Sequence, residues 1–189
     1  TFCINLVVSM VDPVLSLGSA LVLGYVFLAA GVHKWRDLAN FEAALGAYGL
    51  LPEVLVRPAS RSLPLVELAV ASGLLLPQAR PVAAWAGAIL LGVYTLAFGV
   101  NLARGRGAID CGCGDRSQSQ SLSEWLLLRN GTLIGLALLV AAPGVNRPTG
   151  WLDWLVAVLA ATMLVLLYSA CNQLLYNSDR LANLRHSHG

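Results

Sequence analysis

Residues 12–37 read DPVLSLGSALVLGYVFLAAGVHKWRD, a stretch with no charged side chain between Asp12 and His33. A transmembrane helix needs about 20 mostly apolar residues, so the run from Asp12 to Val32 is long enough to cross a bilayer. The basic and aromatic residues that follow it are typical of a membrane–water interface. The stretch therefore predicts a membrane-spanning helix at the start of an all-α fold.

The composition of the whole chain is that of a membrane protein. Hydrophobic residues make up 57% and charged residues 12% of the 189 residues, and the mean hydropathy is +0.70. A soluble domain carries about 25% charged residues. The net charge of +2 is uninformative about nucleic acid, and no basic stripe with interleaved aromatic residues occurs, so no feature of the sequence indicates a nucleic-acid-binding protein. We expect the lipid bilayer as the first partner, and no nucleic acid.

Four more apolar stretches follow the first span. Between Leu38 and Val56, apolar side chains recur at helical spacing among polar ones, which predicts a helix lying in the interface. The predicted spans are 12–32, 62–76, 81–102, 122–142 and 151–176. We therefore predict an all-α integral membrane bundle of four core helices plus a fifth. It forms one domain over residues 1–177, followed by a polar, frayed tail over 178–189.

A polar loop after the third span contains the run Asp110-Cys111-Gly112-Cys113-Gly114-Asp115. Two cysteines one glycine apart can close a small, strained disulfide, and strained exposed disulfides are oxidising and labile. Arg104 would stabilise a thiolate in this loop, whereas Asp110 would oppose it. We interpret Cys111 and Cys113 as the redox pair of a thiol–disulfide protein.

Two other interpretations of the pair stay open. Two thiolates could hold a soft monovalent metal ion, although zinc would require four ligands. Alternatively, the loop is a tight polar turn with inert thiols. The remaining cysteines, Cys3 and Cys171, are predicted to act as small buried hydrophobes, with Cys171 also a candidate second redox thiol.

Glu67 is the acidic residue placed well inside a predicted span. An ionisable residue within the membrane is a functional candidate and usually has a partner. The sequence suggests Arg129, which is followed by Asn130 in the fourth span, as the counter-charge. The pair would form a proton path or the polar wall of a quinone-like pocket, or else a structural contact that fixes helix packing.

The charged residues just after the first span are predicted to be interface anchors. Lys34 would extend its side chain to water, and Asp37 would lie beside it at the membrane surface. Glycines within the spans would allow close packing of helices. They are Gly18, Gly24, Gly31, Gly87 and Gly92.

Taken together, four stretches resemble the methylamine utilisation protein E (MauE) family, bacterial multi-pass membrane proteins related to DoxX-like proteins. The resemblance runs from Ser16 to Ala142. In one respect the chain departs from the family, which tends to place an aromatic residue directly after the second cysteine, where Gly114 stands here. The matching residues are Ala30-Gly31, Lys34, Asp37, Phe41 and Tyr48 to Pro52; Leu63-Pro64 and Glu67; Asn101, Arg104-Gly105 and Asp110 to Cys113; and Arg129-Asn130.

This resemblance implies a role in methylamine metabolism, through disulfide formation and maturation of the small subunit of methylamine dehydrogenase. It implies a thioredoxin-like (MauD-type) partner, a location in the bacterial cytoplasmic (inner) membrane, and Cys111 and Cys113 as the reacting pair, with Phe41 and Tyr48 at an interface. By analogy with quinone-linked oxidases, a quinone near Glu67 would accept the electrons. No other cofactor and no metal is expected.

Two further functions fit the sequence, and the side of the membrane is open. The protein could be a non-enzymatic membrane subunit that docks a thioredoxin-like partner, or a small transporter of a metal ion or thiol compound. With five crossings, the positive-inside rule places the Cys111 loop in the cytoplasm. Disulfide chemistry, in contrast, normally occurs outside the cytoplasmic membrane.

Overall fold

The computed structural model describes residues 12–104, 124–143 and 149–187. Within these ranges the chain is helical and contains no strand, so the predicted all-α class is confirmed. Asp110, Cys111 and Cys113 lie outside the described residues, as does Cys3. The helices are α1 Pro13–Arg36, α2 Leu38–Ala47, α3 Glu53–Leu75, α4 Arg80–Ala103, α5 Glu124–Ala141 and α6 Trp151–Ser187.

Several helices have the length and composition of membrane spans. Three are long and apolar enough to cross a membrane, at Pro13–Arg36, Arg80–Asn101 and Trp151–Ala170, and a shorter apolar helix lies at Leu127–Ala141. Along α4, exposed apolar side chains recur every three or four residues, as expected of a stripe that faces lipid. They are Val82, Trp85, Ile89, Val93 and Leu96. The protein is therefore a multi-pass helical membrane protein.

The second predicted span differs most from the structure. The predicted interfacial helix to Val56 ends at Ala47, and α3 begins at Glu53 rather than at residue 62. At 1.5 Å per residue, the 23 residues of α3 extend about 35 Å. Two prolines, Pro58 and Pro64, lie inside this helix. Neighbouring helices in a membrane bundle tolerate prolines in this way.

Asp37 forms the corner between the first two helices. Its carboxylate accepts hydrogen bonds from the backbone nitrogen of Asn40 at 3.4 Å and from Asn40 Nδ2 at 2.7 Å. Its own N–H donates to the carbonyl of His33 at 3.2 Å. A carboxylate in this position satisfies the free N–H groups of the first turn. Asp37 therefore ends α1 and caps α2, a role that the prediction of an interface anchor missed.

The helix α6 is longer than the fifth predicted span. It continues past Tyr176 to Ser187, so the segment predicted to be a frayed tail is helical over most of its length. The span-forming part, Trp151–Ala170, packs against α1 and exposes most of its apolar surface. That exposure fits a helix at the outside of a bundle surrounded by lipid.

The first helix lies at the centre of the bundle and packs against α3, α5 and α6. A Cβ atom placed on Gly31 would lie 3.1 Å from the carbonyl oxygen of Pro64, and one on Gly24 would lie 3.8 Å from that of Ala71. Pro64 and Ala71 belong to α3, so α1 and α3 are antiparallel and in close contact, as predicted for these glycines. The buried core of the bundle draws side chains from four helices, including Leu23 and Phe27 on α1, Leu74 on α3, Ala84 on α4 and Ala137 on α5.

The glycine prediction is wrong at Gly92 and leads to a matched test. A Cβ on Gly73 would lie 2.8 Å from Cβ of Ala83, whereas no atom of the described chain lies within 4 Å of a Cβ on Gly92. We expect Gly73→Ala to destabilise the protein by about 1–3 kcal/mol through overpacking. Gly92→Ala should instead stabilise it by about 0.5–1 kcal/mol, through helix propensity. Thermal unfolding in detergent measures both, and shifts of the same sign would contradict the packing argument.

Candidate functional site

Three polar side chains from three helices meet in the interior of the bundle. They are Lys34 on α1, Glu67 on α3 and Tyr94 on α4. Both charged residues are only 1% exposed. Full burial of a Lys and a Glu is rare unless the two are paired, so this cluster is the strongest candidate for a functional site in the described part of the chain.

The cluster is a closed network around one carboxylate oxygen. The ammonium of Lys34 donates to Glu67 Oε1 and forms an ion pair with it. The Tyr94 hydroxyl donates to the same oxygen at 2.7 Å and accepts a hydrogen bond from Lys34 Nζ at 3.2 Å. Each member therefore contacts the other two, and a low-dielectric surrounding strengthens all three contacts.

Aromatic rings complete the surroundings of the lysine. Its Nζ atom lies 4.5 Å from the ring centroid of Tyr94 and 5.1 Å from that of Phe41. Both distances are within the range of a favourable cation–π contact. The second carboxylate oxygen, Glu67 Oε2, is buried and has no hydrogen-bond partner among the described residues. A buried oxygen of this kind is uncommon and leaves one acceptor position open to an additional hydrogen-bond donor.

The structure corrects two predictions about these residues. The counter-charge of Glu67 is Lys34, not Arg129, and Lys34 is buried instead of reaching to water. The helical spacing of the buried residues already indicates that Lys34 faces the interior, where Glu67 lies. On α1 the buried face runs through Leu23, Phe27 and Gly31 and reaches Lys34 three residues later. Tyr94, which the sequence reasoning did not single out, continues the face of Leu91 on α4 by the same spacing.

Arg129 belongs to a different contact. Its Nη1 donates to the hydroxyl of Tyr168 on α6 at 3.2 Å, and its guanidinium lies 6.0 Å from the centroid of that ring. Its Nε atom is buried and has no partner within the described ranges. The next residue, Asn130, is 2% exposed. The predicted grouping of Glu67 with Arg129 and Asn130 is therefore divided between two places in the bundle.

A half-open, mostly apolar cavity of about 370 Å³ lies against the Lys34 cluster. Lys34 and Tyr94, two members of the cluster, are among its lining residues, so the cavity and the cluster adjoin. Phe41 and Tyr48, predicted as interface residues, line it as well. The remaining lining residues are Leu45, Leu50, Leu51, Ala59, Ser62, Leu63, Val93, Ala97 and Phe98.

The connection that carries the cysteines begins and ends at this side of the bundle. It leaves α4 at Ala103, beyond Tyr94, and enters α5 at Glu124. Near the start of α5, Leu127 packs against the cluster of Tyr48 and Phe98 beside the cavity. Asp110, Cys111 and Cys113 fall inside the connection, and their geometry is not described. Arg104, just before it, is exposed.

Asn101 lies in the last turn of α4 and is fully buried. Its Nδ2 atom donates to the carbonyl of Ala97 at 3.0 Å, and its Oδ1 atom has no partner in the described part of the chain. No group of three or more His, Cys, Asp or Glu residues comes together in the ranges 12–104, 124–143 and 149–187. The described geometry therefore offers polar side chains to an organic ligand or a proton, but no metal centre.

Comparison with known proteins places the chain in a family. The model of the family described as "Methylamine utilisation protein MauE" matches residues 12–143. The MauE protein of Paracoccus versutus is 37% identical over 165 residues, which cover 86% of this chain and 88% of that protein. The protein of the same name from Methylophilus methylotrophus is 36% identical over 167 residues, covering 85% and 86%. No solved structure matches the chain. With the match spanning α1 to α5, the chain belongs to the MauE family, as its resemblance indicated.

Proposed function

We propose that this protein is a membrane component of thiol–disulfide redox, acting through Cys111 and Cys113. The observation that carries the proposal is the Cys-Gly-Cys sequence in a chain of the MauE family. The relatives are named methylamine utilization proteins, so we place the redox step in the methylamine system. Its end would be formation of disulfides in the small subunit of methylamine dehydrogenase.

The chemistry proposed is thiol–disulfide exchange. A thiolate of a reduced partner attacks the Cys111–Cys113 disulfide, whose S–S bond breaks as a mixed disulfide forms. A second thiolate of the partner then breaks the mixed disulfide. The partner leaves with a new disulfide, and Cys111 and Cys113 are left as a dithiol, so two electrons have moved from the partner to this chain.

The partner and the location are part of the same proposal. A thioredoxin-like protein of the MauD type suits exchange with a Cys-Gly-Cys pair, because both would react through thiolates. The bacterial inner membrane is the proposed location, with the cysteines at the face where disulfides persist. Arg104, exposed at the end of α4, would add positive charge beside the reacting thiols.

Thiol trapping in intact cells tests this proposal. In a Cys3→Ala/Cys171→Ala background only Cys111 and Cys113 remain, and each free thiol adds one membrane-impermeant polyethylene-glycol maleimide, read as a gel shift. We expect no shift before reduction and a double shift after it, which would show a disulfide at the external face. Cys111→Ser in the same background is the control, because the remaining thiol should be labelled without reduction.

Two free thiols that label only after permeabilisation would contradict the proposal. They would place the pair in the reducing cytoplasm, as the positive-inside rule predicts. A role in metal handling or in docking a partner would then explain the cysteines better.

A further inference from the structure

We propose that the cavity beside Lys34 and Tyr94 binds the head of a lipid-soluble quinone. Binding as such depends on the cavity alone. The role of the quinone as electron acceptor rests on the proposed function, because it supplies the oxidant that the Cys111–Cys113 dithiol needs. The site differs from the predicted Glu67–Arg129 pocket, since Arg129 lies in another part of the bundle.

The size and wall of the cavity suit a planar, apolar head group. Its volume of about 370 Å³ lies within the range of small-molecule sites, roughly 300–1,000 Å³. Four aromatic side chains line it, namely Phe41, Tyr48, Tyr94 and Phe98. Aromatic rings favour offset or edge contacts with another flat ring. The cavity is half-open, which would let a lipid-soluble tail remain in the bilayer.

The polar groups in the wall select the chemistry of the head. Lys34 is a lining residue of the cavity, and its ammonium can only donate hydrogen bonds. A carbonyl oxygen is a suitable acceptor for an ammonium, and a neutral ligand leaves the charge balance of the Lys34–Glu67 pair unchanged. Saturated hydrocarbon would leave this polar wall without any additional contact. The geometry therefore favours a neutral ring compound that carries carbonyl groups.

Reduction of a quinone requires protons as well as electrons. Oxidation of the dithiol to a disulfide releases two electrons and two protons, and a quinone takes up two of each to become a quinol. Glu67 lies directly behind the two lining residues, and its Oε2 atom is buried with no partner among the described residues. Tyr94, which lines the cavity, donates a hydrogen bond to Glu67 Oε1 at 2.7 Å and so links this carboxylate to the cavity wall. The products are a disulfide and a quinol, and the equation balances.

Two probes with the same tail separate recognition of the carbonyl from general apolar binding. Decylubiquinone and decylbenzene would each be titrated against the purified full chain in lipid nanodiscs, with tryptophan quenching or a thermal shift as the signal. We expect the quinone to bind at least tenfold more tightly. Equal binding of the two would overturn the proposal and leave a site for lipid chains only.

Matched substitutions on α4 locate the site. Ala97 lines the cavity, whereas the neighbouring Leu96 is 70% exposed on the outer surface. Ala97→Phe should fill the cavity and weaken quinone binding at least tenfold, while Leu96→Phe should leave it within twofold. If Ala97→Phe does not fold, Ala59→Phe fills the same cavity from α3. Unchanged binding in a folded cavity variant would contradict the location.

The Cys111→Ser/Cys113→Ser double variant separates this inference from the proposed function. It should bind decylubiquinone as the unmodified chain does, because the cavity residues are intact. A disulfide trapped in cells together with no quinone binding would reject the cavity proposal alone. Quinone binding together with two permanently free thiols would support the site and reject its role as acceptor for the pair.

Discussion

Breaking the buried ion pair by changing either partner should destabilise the protein by about 3–5 kcal/mol, because the remaining charge loses the attraction of its partner in a low-dielectric interior. Lys34→Met and Glu67→Gln are suitable changes, since both keep the approximate volume of the side chain. For a chain of this length, such a loss lowers Tm by roughly 6–20 °C. Thermal unfolding of the purified protein in detergent, followed by circular dichroism, measures it.

The double variant Lys34→Met/Glu67→Gln should recover a large part of this loss. Replacing both members of a buried pair removes the cost of burying the charges along with their attraction. If the double variant is as unstable as the sum of the single variants, the two residues do not act as a pair.

The surface ion pair between Glu42 and Arg57 is the matched control. It also joins two helices, at 3.4 Å, but its members are 37% and 72% exposed. Exposed pairs contribute about 0–1 kcal/mol. Glu42→Gln should therefore change Tm by no more than a few degrees. A loss as large as that of Glu67→Gln would show that burial is not the cause.

Loss of either Cys111 or Cys113 should abolish function while leaving the protein in the membrane. A single remaining thiol can form a mixed disulfide but cannot resolve it, so the redox cycle stops. The measurement is growth on methylamine of a methylotrophic host that lacks its own MauE-family protein, complemented with each Cys→Ser variant. Membrane-bound protein would be quantified alongside, so that poor insertion is not mistaken for lost chemistry.

The other two cysteines provide the control for this prediction. Cys3→Ala and Cys171→Ala are expected to support normal growth, because we interpret both as small apolar residues. Full growth with Cys111→Ser and with Cys113→Ser would contradict the redox role. It would favour a membrane subunit that docks its partner through another surface.

The fold could be predicted from sequence because it depends on long signals. Apolar runs such as the one in α1 carry the information for a span in about 20 residues, and chance rarely produces them. The bounds of the second span were predicted less well than its existence. The second span was predicted to begin at residue 62, whereas α3 begins at Glu53 and contains both Pro58 and Pro64, which its packed neighbours tolerate.

The candidate site was predicted in its members but not in its arrangement. Lys34, Phe41 and Glu67 were each singled out, yet Glu67 was assigned to Arg129. In sequence, both basic residues were available to the acid, and only the packing of α1 against α3 decides between them. The rule that a lysine near a helix end extends to water gave the wrong result, because Lys34 continues the buried face of α1.

A single acceptor atom, Glu67 Oε1, connects three helices through hydrogen bonds. Two donors from different helices, Lys34 on α1 and Tyr94 on α4, converge on this oxygen of α3. A proton added to the carboxylate would remove its negative charge and weaken both ties together. Addition or loss of a proton at the Glu67 carboxylate would therefore change the relative positions of α1, α3 and α4. In such an arrangement, a change of charge beside the cavity would also change how these helices pack.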